Sequence, residues 1–246
     1  GDNNVAVGLD SLQANTTGSC NVAIGQTALA ANTTASFNTA VGMRAMLNTT
    51  TGNKNVAVGT SAMQCNTTGS NNTAVGGMDA NAFPTMFANT TGSNNTAIGN
   101  STLICNTTAS NNTAVGSETM KATTTGANNS GFGKGALRFN TTGADNAAVG
   151  RQALQSNTTG AQNVAMGTCA LFTQSSGGNS NVSVGNYSMK LNTTGDNNVA
   201  VGYSALCKNT TAGSNTAVGH SALFDNTTGG TNTALGTSSL ENNTTG

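Results

Sequence analysis

The chain repeats itself every 17 residues, and a strict period limits what it can fold into more than any other property. Each copy is anchored here on the Asn that opens the motif N-[VT]-A-[VI]-G. The anchors are Asn4, Asn21, Asn38, Asn55, Asn72, Asn95, Asn112, Asn129, Asn146, Asn163, Asn181, Asn198, Asn215 and Asn232. The spacing is 17 throughout, except for 23 after Asn72 and 18 after Asn163. Counting the anchor as position zero, position four is Gly in all fourteen copies, and position fourteen is Gly in eleven and Ala in three (Ala35, Ala109, Ala212). Two glycines per 17 residues leave no segment of helical length, and Asn-Thr-Thr is a poor helix former. The expected fold is therefore all-β: a β-solenoid, or β-roll, with one 17-residue repeat per turn and about 14 turns. Residues 1–246 form one array with no internal boundary, and a six-residue insertion falls within 77–86. The array begins and ends at one phase of the repeat, which reads as a segment of a longer fibre.

The columns define an expected cross-section. Position three is always apolar, from Val7 through Val149 to Leu235, and position eight is always Leu or Met. Position one is mostly Val or Thr. Alternate residues of a strand share a face, so positions one and three are read as inward, with Leu or Met closing the core from a second short strand. Position two, Ala in twelve copies, then points outward. A tiny residue held at every level, as at Ala148 and Ala165, implies a close neighbour, either another chain or, in the rival reading, the roll's own narrow core. Position eleven is Asn in eleven copies, followed by Thr-Thr or Ser-Ser. Stacked amides form ladders and stacked Thr packs its β-branches, so this column is expected to hold turn to turn. All sixteen charged residues fall at positions five, six, nine, ten, fifteen and sixteen or in the insertion, columns that face water.

Composition narrows function by exclusion. Charged residues make up 7% and the net charge is zero, against a nucleic-acid partner, which needs a basic stripe. No apolar run is long enough to insert in a membrane. His220 is the sole histidine, the acidic residues form no pair, and "GFGKGAL" is the eighth repeat rather than a phosphate loop. No enzyme, cofactor or metal site is expected. Cys65 and Cys105 share a column but lie two turns apart, too far for a disulfide, and five free thiols suit a compartment that is not strongly oxidising. Two features are candidate sites. The insertion, with Asp79, Phe83 and Pro84, is a lateral contact or ligand loop if it is more than a tolerated excursion. The Asn-Thr-Thr sequons, among them Asn15, Asn66, Asn89, Asn106, Asn157, Asn192 and Asn226, are candidate glycosylation sites unless the ladder points inward.

At "NNTAVG" and "NNVAVG" the chain resembles the head repeats of trimeric autotransporter adhesins. It is closer still to "NTAVG..AL..NTTG" arrays of phage tail-fibre-like and bacterial surface proteins. The resemblance covers the whole chain. It implies an extracellular, cell-surface or virion fibre that spaces or presents a binding tip. It also implies a homo-oligomer, either a trimer or a lengthwise filament. The expected function is thus a structural shaft. An adhesin or receptor-binding module that meets a cell-surface glycan is one alternative, and an ice-binding solenoid with regular Thr columns is the second.

Overall fold

A computed structural model describes residues 1–77 and 83–246. The protein is an all-β β-solenoid repeat protein. Each described repeat contributes one three-residue strand, from β1 (Val5–Val7) to β14 (Thr233–Leu235). The chain divides into two compact units, Gly1–Ala127 and Asn128–Gly246. The first carries the strands up to β7 (Thr113–Val115), and the second those from β8 (Ser130–Phe132) onward. Within each unit strands pair parallel with their sequence neighbours, in a register that sets like on like: Val5 on Val22, Ala6 on Ala23, Val7 on Ile24.

The inward side is the reverse of the one expected. Position two is the buried member of the strand: Ala23, Ala40, Ala148 and Ala165 are all fully enclosed. Positions one and three point away from the core; Val58 is 37% exposed and Val149 40%. Space decides the matter. The core of one turn already holds the position-eight Leu or Met, a second Ala at position seven, and the Asn side chains of positions zero and eleven, all enclosed in the turn of Asn21 (Ala28, Leu29, Asn21, Asn32). In so narrow a section only Ala fits between them. Ser183 tests the point: it replaces Ala at position two, and its hydroxyl lies 2.5 Å from that of Ser188 at position seven and donates to the Ser188 carbonyl at 2.9 Å. Thr85 and Thr102, also at position seven, donate to the carbonyls of Gly99 and Gly116 in the following turn. The Ala column is therefore core, and the expectation of an inter-chain contact over Ala148 and Ala165 is overturned.

No second strand carries position eight. Positions six, eight and sixteen have left-handed backbone, as at Thr27 (φ 54°), Leu29 (φ 50°) and Cys20 (φ 58°). The flips aim backbone groups at both neighbours. The Thr27 N–H donates to Leu9 in the turn before at 2.8 Å, and the Leu29 N–H to Ala45 in the turn after at 3.1 Å. The intervening Ala28 N–H closes a tight turn on Gly25 at 3.2 Å. Left-handed geometry costs a non-glycine residue roughly 1–2 kcal/mol. Here it lets the corner satisfy backbone groups that a buried loop would otherwise orphan.

Two asparagine columns hold the turns together. At position eleven the Asn32 amide donates to Asn15 Oδ1 at 2.8 Å, Asn106 to Asn89 at 2.7 Å and Asn157 to Asn140 at 2.8 Å. The position-zero column forms a second ladder. The Asn21 backbone N–H donates to Asn4 Oδ1 at 2.9 Å, and its side chain donates to the Ala35 carbonyl at 2.9 Å. Both columns meet at position fourteen, where one carbonyl accepts twice: Gly18 takes Asn4 at 2.9 Å and Asn15 at 3.0 Å. In the 18-residue turn Gln174 stands at position eleven. Its extra methylene offsets the extra residue, so its amide still donates to both Asn157 and the displaced carbonyl of Gly178.

Candidate functional site: the outward strand face

With the core assigned, the outward columns make up the surface of each unit. Position three takes Val, Ile, Phe, Met or Leu and never a polar residue in fourteen copies. Strand propensity does not account for this. Thr serves as well in a strand, and position one takes it at Thr39, Thr73, Thr96, Thr113, Thr216 and Thr233. Met166 and Leu235 are not β-branched, so what persists at position three is hydrophobicity. The column is nevertheless exposed at Ile24, Val58 and Ile98 in the first unit and at Phe132, Val149, Met166 and Val201 in the second, and half-buried at Val41, Val75, Val115, Val184 and Val218. No charge enters position one or three anywhere in the sequence. In each unit the result is an apolar column at position three beside a mixed Val and Thr column at position one, laid out by parallel strands in register.

The other candidates fall elsewhere. Phe83 is 59% exposed at the end of the insertion, tied by its backbone to Ser101 of the next turn, whose N–H donates to it at 3.1 Å. Pro84 beside it is buried, and Asp79 lies outside the described residues. The sequons at Asn66, Asn89, Asn106, Asn157, Asn192 and Asn226 are fully enclosed, while Asn15 in the first turn is half-buried. Their Nδ2 atoms, the atoms a glycan would join, donate within the ladder or to the position-fourteen carbonyl. The folded chain holds these nitrogens inside, away from a glycosyl donor. The exposed side of the Asn-Thr-Thr corner is instead its second Thr, as at Thr34 and Thr68.

One surface feature had no signal in the sequence. Tyr187, Tyr203 and His220, on consecutive turns, form an aromatic run. Tyr203 stacks on His220 at 5.4 Å and meets Tyr187 edge-on at 5.9 Å. Lys190 lies 5.3 Å over the Tyr187 ring. The five cysteines are free. Burial pushes the Cys65 and Cys207 thiols up, Cys207 against the lowering influence of Lys190 and Lys208. Among the described residues no group of His, Cys, Asp or Glu is gathered to hold a metal ion, and no helix is long and apolar enough to cross a membrane. No family model, curated protein or solved structure matched the chain. The class defined by fold and surface is a β-solenoid repeat protein with one apolar column on its outward strand face.

Proposed function

We propose that the chain is a structural element, the shaft of an extracellular or virion fibre, and that it has no catalytic role. One observation carries this reading. The inward columns consist of groups that fasten a turn to its neighbours: the Ala and Leu or Met core and the two Asn ladders. Repetition of that kind adds length, and length with stiffness is what a shaft supplies. Charge and size vary at positions five, six, nine, ten, fifteen and sixteen, where a spacer tolerates it. The resemblance to tail-fibre and adhesin-head arrays agrees with the same role. Immuno-electron microscopy in the native setting tests it. Antibodies against the chain are expected to decorate extended fibres on virions or outside cells. Labelling confined to compact particles in the cytosol would overturn it.

A further inference from the structure

The chain has two tyrosines, one histidine and no tryptophan, and these three rings stand together on consecutive turns. We propose that Tyr187 and Tyr203 are a site of oxidative modification, at which hydrogen peroxide, activated by a haem peroxidase, joins the two phenol rings by a carbon–carbon bond. The ring centroids are 5.9 Å apart with the planes at 83°, an edge-on contact. Tyr203 is 51% exposed and Tyr187 half-buried, so an oxidant can reach both. The backbone beneath each ring is fixed. The Tyr187 N–H donates to the Thr168 carbonyl in the turn before at 3.0 Å, and the Tyr203 carbonyl accepts from Ser221 in the turn after at 2.9 Å. Turning about side-chain bonds is then enough to set one ring edge against the other.

The chemistry balances. Each phenol gives up one electron and its hydroxyl proton and becomes a phenoxyl radical. The two radicals join at the carbons ortho to oxygen. The hydrogen on each of those carbons moves to the neighbouring oxygen, and both phenols are restored. The pair has lost two hydrogen atoms; one peroxide takes them up as its O–O bond breaks, and two waters leave. Two rings held in contact meet far more often than rings on separate chains, which must find one another by diffusion. No tryptophan competes for the oxidant, and Cys169 and Cys207, the thiols of these turns, are buried. The product ties the turn of Asn181 to the turn of Asn198 covalently, where the Asn198 N–H already donates to Asn181 Oδ1 at 2.9 Å. The link needs no particular role for the chain, so its failure would leave the shaft reading intact.

Hydrogen peroxide and a haem peroxidase, added to the dilute full chain, test the site. Trypsin cuts after Arg151, Lys190 and Lys208, which puts Tyr187 and Tyr203 on separate peptides, 152–190 and 191–208. The expected product is a monomer in which these two peptides are joined with the loss of two hydrogens and the fluorescence of coupled tyrosine appears. Cys169 and Cys207 lie on the same two peptides, so the digest is reduced before mass spectrometry; a disulfide then parts and the carbon–carbon bond survives. Tyr187→Phe and Tyr203→Phe are each expected to abolish the product. Tyr187→Phe with Lys134→Tyr keeps two phenols but sets them four turns apart within one unit. It is expected to lower the yield of the link within one chain by roughly tenfold or more. A wild type oxidised without joined peptides, or joined only between chains, overturns the proposal, as does an equal yield from the relocated pair.

Discussion

Gly42 has φ +134°, and a Cβ built on it would lie 2.5 Å from the carbonyl oxygen of Gly59 in the next turn. Both the backbone angle and the approach refuse a side chain. Gly52, at position fourteen, has no left-handed φ; its added Cβ would meet only the close approach, 2.3 Å from the Gly69 oxygen. That column carries Ala35, Ala109 and Ala212 elsewhere, so the small shift it needs is available. Gly42→Ala is therefore expected to lower stability by about 1–3 kcal/mol and Gly52→Ala by clearly less, as read by thermal unfolding; equal losses would contradict the distinction. The sequence carried this contrast openly, since one column never varies and the other does. It did not carry the orientation of the strand. Transfer free energies rank Val above Ala for burial, and that ranking sent Val149 inward and Ala148 outward. The deciding quantity is the room left beside Leu154, Asn146 and Asn157, all of which lie inside with Ala148.

The ladders set the behaviour of single turns. Side-chain donors at position eleven point at the turn before, so the amide dipoles of that column are aligned and reinforce one another. Where Thr interrupts position eleven the chain breaks: Asn32 Oδ1, below Thr49, and Asn106 Oδ1, below Thr123, are buried without a partner. Thr49 instead accepts from Asn66 at 3.3 Å. Thr49→Asn restores the missing donor and is expected to stabilise by about 1 kcal/mol, seen as a higher melting temperature; a lower one would mean that the site has no room for the amide. The position-eleven ladder could be read in advance, because identical residues in register must stack. The anchor ladder at position zero could not, since its contribution depends on a backbone N–H meeting a side chain one turn away, as Asn38 does with Asn21 Oδ1 at 2.9 Å.

At the scale of the whole chain, stability is a sum over neighbouring turns. Ala148→Asp places an unpaired charge in an enclosed column, at a cost of several kcal/mol. Hydrogen exchange is expected to rise around residues 130–166 and to stay slow in the repeats near Asn38 and Asn55; uniform acceleration along the chain would show one cooperative unit instead. The period made the architecture legible, whereas the exposure of the apolar position-three column became visible only once the core was known to lie on its other side. The 23-residue turn bears on a different matter. Across it Asn89 donates to Asn66 at 2.8 Å and the Asn95 N–H to Asn72 at 2.9 Å, the same lengths found across ordinary turns. The columns thus keep their lengths although this turn holds six more residues than the 17-residue turns. Lengthening a connection adds only slowly to its closure entropy, so a longer insert at this corner is expected to leave the ladders on either side in place.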